Sequence, residues 1–149
     1  MSKITVENAA KQDFMPLMRE LVHAYQALAA YDSAGYRDSD LTVSQADVLF
    51  TLGNTDGMTF KEIGEKTLIT KGTLTGIIDR MEDKGIVKRI SMVDDRRCTR
   101  VSLTAKGNKL FKIEFPRQIE YIKKRFDRMD KKCKAQALES LKKISEIFK

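Results

Sequence analysis

The stretch from Thr59 to Gly107 most constrains what this chain can fold into, because its pattern changes from helix to strand and back. It opens on Thr59-Phe60-Lys61-Glu62, a capping box whose Thr and Glu satisfy two free backbone donors at a helix start. That helix is short and ends near Lys66. Thr70 then offers a hydroxyl suited to cap a second helix. In it Leu74, Ile77, Ile78 and Met81 recur at i, i+3, i+4 and i+7 and share one face. The other face carries Lys71, Gly72, Thr73, Thr75, Gly76 and Arg80, all small, hydrogen-bonding or cationic. Such a face can approach a large polar partner closely. Gly85 stops the helix by supplying a left-handed residue.

Past Gly85 the pattern becomes that of strands. Ile86-Val87-Lys88-Arg89-Ile90 is rich in β-branched residues, and Arg100-Val101-Ser102-Leu103 alternates. Between them Val93-Asp94-Asp95-Arg96-Arg97 is a charged turn. Two antiparallel strands beside a helix pair make a winged helix-turn-helix. Its tip carries Arg96 and Arg97, and a narrow DNA minor groove attracts inserted arginine through its concentrated negative potential. On the second helix, Lys71, Thr73, Thr75 and Arg80 are expected to meet base edges or phosphates. Thr70 brings a backbone amide to a phosphate. Lys61 and Lys88 are expected to track the DNA backbone.

These elements resemble the MarR family of bacterial transcription regulators. The family carries a wing close to D-x-R-D-R-R, a strand, and then L-T-x-x-G opening a long helix. Asp95-Arg96-Arg97 and Leu103-Thr104-Ala105-Lys106-Gly107 match, whereas Val93-Asp94 stands where the family has an earlier wing arginine. The resemblance implies that the second wing arginine partners an aspartate. Arg96 is therefore expected in the groove, and Arg97 against Asp94, Asp95 or a phosphate.

The charge distribution agrees with a polyanionic partner. The net charge is +7, and residues 1–57 hold four cations and eight anions. Residues 58–103 hold ten and seven, and residues 104–149 fourteen and six. Cations thus concentrate in the wing module and the C-terminal helices. No stretch has the ~20 apolar residues of a membrane span, and the N-terminus shows no secretory h-region. Cys98 and Cys133 have no metal or disulfide spacing, which leads to the expectation of reduced thiols in a cytoplasm. His23 is the only histidine, so no imidazole zinc site forms within a protomer. No phosphate loop or nucleophile motif points to an enzyme, and no cofactor or metal is expected.

The flanks read as helices. Phe14, Leu17, Met18, Leu21, Tyr25 and Leu28 form a stripe in a helix over about 14–31, with Pro16 tolerated in its first turn. Asp32 to Asp40 reads as a loop. Thr42-Val43-Ser44-Gln45 opens another capped helix. After the wing, Thr104 caps a long helix with Phe111, Phe115, Ile119, Ile122, Phe126 and Met129 in one stripe. Pro116 is expected to kink it near Lys112 or break it. A last helix spans roughly Lys134 to Phe148.

The expected architecture is mainly α with a two- or three-stranded β-wing, in one domain of 149 residues. The winged helix-turn-helix occupies about 42–103, and dimerisation helices about 14–31 and 104–148. The terminal stripes hold more apolar surface than a small winged module needs, which suggests a homodimer on a pseudo-palindromic operator. The expected function is a sequence-specific, double-stranded DNA-binding regulator and a repressor. The alternatives are a winged protein-interaction module or a redox regulator acting through Cys98. The family resemblance further implies a small aromatic or anionic effector in a crevice beside the winged module. By position His23, Tyr25, Tyr36 and Phe50 are the candidate lining.

Overall fold

The structure is a computed structural model that describes residues 3–67, 69–91 and 99–149. The expected turn with Arg96 and Arg97, and Cys98 beside it, lie outside the described residues. The chain divides into two units, Met1–Asp38 and Ser39–Lys149.

The first unit holds a one-turn helix α1 (Val6–Ala9) and the long α2 (Met15–Ala34). Pro16 sits in the first turn of α2, where its missing N–H has no helical partner to lose. The helix runs three residues beyond the expected end. Asp32 and Ser33 stay helical, and their carbonyls accept the Gly35 N–H to close the last turn. No residue of α2 is buried.

The second unit is built around a three-helix cluster and a small sheet. Its elements are α3 (Val43–Leu52), β1 (Met58–Thr59), α4 (Phe60–Thr67), α5 (Lys71–Asp83), β2 (Val87–Ser91), β3 (Thr99–Leu103), α6 (Ala105–Phe126) and α7 (Lys131–Ile147). The strands are antiparallel in the order β1-β3-β2, with Met58 opposite Val101 and Val87 opposite Leu103. Val48, Leu49, Leu52, Ile63, Leu74, Ile78, Met81, Val87 and Val101 are all buried, so α3, α4, α5 and the sheet bury one core. The expected apolar face of α5 is entirely within it, with Ile77.

Local chemistry sets the element ends. Thr42 Oγ1 accepts the Gln45 N–H at 3.2 Å while Gln45 Oε1 accepts the Thr42 N–H at 3.2 Å, a complete capping box for α3. Thr59 and Glu62 repeat the arrangement for α4. At the end of α5, Gly85 has φ +71°. Its N–H donates to Glu82 O at 2.8 Å, and Ile86 N–H to Met81 O at 2.9 Å, which is a Schellman closure.

Two expectations change on the C-terminal side. Pro116 does not break α6, which is continuous from Ala105 to Phe126. Lys112 and Pro116 are both exposed, so water can reach the carbonyl that has no N–H partner. The last helix starts at Lys131 rather than Lys134, because Asp130 caps it by accepting the Cys133 N–H at 2.7 Å. Among the described residues no helix is long and apolar enough to cross a membrane.

Candidate nucleic-acid interface

The helix-turn-helix consists of α4 and α5, and β2 and β3 rise beside it. Burying Leu74, Ile77, Ile78 and Met81 turns the opposite face of α5 outward. Lys71, Gly72, Thr73, Thr75 and Arg80 are accordingly exposed. A Cβ on Gly72 would meet nothing within 4 Å, so the first turn of α5 lies open.

The expected hydroxyl cap at Thr70 does not form, and no side chain caps α5. Thr70 Oγ1 instead donates to Thr73 Oγ1 at 3.1 Å. The first N–H groups of α5 therefore keep their capacity for an anion. Thr75 Oγ1 donates to Lys71 O at 3.1 Å, which leaves its oxygen as an acceptor. A Cβ on Gly76 would lie 3.5 Å from Arg80 Nη1, so the arginine folds back along the exposed face.

A cleft of about 780 Å³ opens between α4, the start of α5 and the strands. Lys61, Lys71 and Thr75 line it, together with Phe60, Ile69 and Arg89. Three of the expected contact residues thus share one depression. Lys88 is exposed on β2 outside this lining.

Arg89 has no role that sequence alone brings out, yet it organises this side of α5. Its guanidinium pairs with both Asp79 and Glu82 and stands 5.7 Å from the centre of the Phe60 ring. The hydrogen bond it donates to Asp79 is the main reason its pKa rises further above the ordinary arginine value. Two carboxylates on this helix would repel phosphate, and Arg89 offsets one charge while it fixes both. The signal in the sequence is the i, i+3 spacing of Asp79 and Glu82, a pair of acids wanting a cation. Glu62 also titrates below its ordinary range, first because it accepts the Thr59 N–H, so the α4 cap stays ionised.

The candidate effector residues are placed as follows. His23 and Tyr25 are exposed on α2, with His23 Nδ1 3.6 Å from Glu20. Tyr36 is buried. Phe50 packs edge-on against Phe115, ring centres 5.2 Å apart, and Phe111 stacks on Phe115. Cys133 is exposed in the first turn of α7. Among the described residues no group of three or more His, Cys, Asp and Glu could hold a metal ion.

Residues 41–99, which contain both helices and the start of the second wing strand, match the model of the MarR family. The chain belongs to the MarR family. MarR-family proteins are transcription regulators rather than enzymes. The homoprotocatechuate degradative operon repressor of Escherichia coli is 27% identical over 128 residues, covering 86% of this chain and 84% of that one. The regulator SarZ of Staphylococcus saprophyticus is 34% identical over 71 residues, covering 48% of this chain. There this MarR-family chain spans about half the relative's length, 49%. Among solved structures, BpsR of Bordetella bronchiseptica superposes with a TM-score of 0.76 at 25% identity, over 87% of this chain and 98% of that one. The structure of BpsR was determined for the regulation of its DNA binding by 6-hydroxynicotinic acid.

Proposed function

We propose that this MarR-family chain is a cytoplasmic homodimer that binds a pseudo-palindromic operator in double-stranded DNA and represses transcription. The observation that carries the reading is the outward face of α5. It is polar, carries Lys71 and Arg80, is uncapped at its N-terminus, and is continuous with a cleft holding Lys61 and Lys71. In this reading a phosphate meets the first turn of α5 near Thr70 and Lys71. Thr73 and Thr75 reach base edges. With its proton held by Lys71 O, Thr75 offers an oxygen to a cytosine or adenine amino group and a methyl to thymine. Arg80, Lys61 and Lys88 contact phosphates, and Arg96 and Arg97 act at the wing.

Dimerisation is supported by apolar surface left uncovered. On α2, Leu17 is 55% and Val22 49% exposed, and on α7 Leu138 is 53% and Leu141 50% exposed. Stripes this regular on long helices call for a second copy. The names of BpsR and of the homoprotocatechuate operon repressor support an aromatic acid or similar anion as effector. His23, Tyr25, Tyr36 and Phe50 remain its candidate contacts.

The test is a mobility-shift screen of the purified chain on fragments of its own genome with excess nonspecific competitor. A subset of fragments should be retained, and Lys61→Ala with Lys71→Ala should weaken all of them. Retention of every fragment equally, or of none, would refute the reading.

A further inference from the structure

The loop that ends α5 is held by more than its own Schellman bonds. Three successive carbonyls, those of Lys84, Gly85 and Ile86, all accept hydrogen bonds from the head of α6. Lys106 Nζ donates to Lys84 O at 2.6 Å. Thr104 Oγ1 donates to Gly85 O at 2.5 Å, and Thr104 N–H to Ile86 O at 3.0 Å. The same Thr104 oxygen accepts the Gly107 N–H at 3.1 Å, so one hydroxyl both caps α6 and grips the end of α5. Close approach of the two backbones makes this possible, since a Cβ on Gly107 would lie 2.1 Å from Ile86 O. Lys84 carries the grip to the other side. Its ammonium donates to Asp40 O at 2.8 Å and to Gln45 Oε1 at 3.2 Å, the oxygen that also completes the α3 capping box.

These bonds exceed what closing a helix requires. A Schellman end needs only its two intrahelical bonds, and a capped α6 needs only the Thr104 oxygen as acceptor. The hydroxyl proton of Thr104 and the ammonium of Lys106 both go to the end of α5. Lys106 is exposed, so its ammonium forgoes full hydration to make a charged hydrogen bond there.

We propose that Thr104 and Lys106 are positioning residues for DNA recognition. They fasten the recognition helix α5 to α6, so that the two helices move as one body and α6 sets the permitted spacing between the two half-sites. This rests on the dimeric, DNA-binding function proposed above. The wing then trims affinity, and the clasp fixes register. In a two-fold dimer, slack at either clasp lets one recognition helix swing, and an operator of the wrong spacing becomes tolerable.

The test uses the full chain in four forms: parent, Lys106→Met, Thr104→Val with Lys106→Met, and Thr104→Ser. The probes are duplexes selected by the parent from a random pool, then resynthesised with the half-sites moved together or apart by one base pair. The parent should lose most of its affinity on either altered duplex. The double variant should bind the selected duplex several-fold more weakly but lose much less on the altered ones. Thr104→Ser keeps the hydroxyl and should keep the parent's spacing preference. Equal weakening on all spacings would overturn the proposal, because loss of general stability has that signature. Hydrogen exchange of the free proteins provides a reading that needs no DNA. Amides of Gly85, Ile86 and Thr104 should exchange faster together in Lys106→Met, and unchanged exchange at all three overturns the clasp. If the pool yields no paired half-sites, the dimeric function fails and the exchange result alone decides the clasp.

Discussion

Replacing Arg89 by methionine separates the work this residue does in folding from its work on DNA. In the folded chain Arg89 is paired with Asp79 and Glu82 and lies near the Phe60 ring. Its side chain is 31% exposed and those of the acids 55% and 41%, so each pair is largely screened. Such pairs contribute ~0.2–1 kcal/mol each and an exposed cation–π contact ~0.5–1 kcal/mol, so unfolding free energy should drop by about 1–3 kcal/mol. The effect on DNA should be the more specific one. The three groups together carry one negative charge in the parent and two in the variant. An added negative charge on the recognition helix acts like the removal of one phosphate-neutralising cation. The slope of log affinity against log salt should become shallower by about 0.9 per protomer. The assay is anisotropy of a labelled operator duplex titrated at several salt concentrations. Adding Asp79→Asn and Glu82→Gln to Arg89→Met takes the group to zero charge and should bring the slope back to the parent's value and about 0.9 per protomer beyond it, without restoring the stability. An unchanged slope in Arg89→Met, or no recovery in the triple variant, would refute the charge-offset argument.

Other outcomes turn on single groups. Gly85→Ala forces a Cβ onto a residue at φ +71° and should cost ~1–2 kcal/mol in urea unfolding with no change in the slope against denaturant. Glu62 and Asp130 are held below their ordinary values of 4.5 and 3.8, chiefly by the Thr59 and Cys133 N–H groups. Their folded values lie below the unfolded ones, so the stability they add is present above those ordinary values and is lost as pH falls through the folded ones. Urea midpoints should therefore hold level from neutral pH to about 5 and then fall, and Glu62→Gln should show a smaller acid drop than the parent. Arg96→Ala should lower the salt slope by ~1 for each phosphate it no longer neutralises and erase any preference for A·T-rich flanks. Loss of that preference in Arg97→Ala alone would exchange the two assignments.

The recognition helix is readable in the sequence because its burial is local in pattern. Leu74, Ile77, Ile78 and Met81 can share a face in only one secondary structure, and Gly85 marks where it ends. The caps at Thr42, Thr59 and Thr104 are legible for the same reason, each needing partners only three residues away. Thr70 shows the limit of that rule, since its residue type suits a cap yet its hydroxyl makes none and lies 3.1 Å from Thr73 Oγ1. The third strand has no legible position because Met58-Thr59 is too short to display a period. Only its pairing with Val101 and Arg100 of β3 defines it. Arg89 is illegible as a functional residue because its partners lie on another element, brought close by packing the strand beside α5. The same holds for Lys106, whose partner carbonyl is 22 positions away in sequence. Of the two outcomes expected at Pro116, a break is not seen, because α6 is continuous from Ala105 to Phe126.

The central claim is that two copies of this chain read a paired site in duplex DNA through α5. The most direct measurement is sedimentation of the purified chain with a duplex it selected from a random pool, alongside sequencing of the retained pool. The predicted result is two 17.0 kDa chains per duplex and an inverted repeat in the retained sequences. The half-site centres should lie about one helical turn, ~34 Å, apart or a multiple of that. Thr73→Ala and Thr75→Ala should shift which bases are retained at single positions of each half. One chain per duplex, or retained DNA with no common repeat, would contradict it.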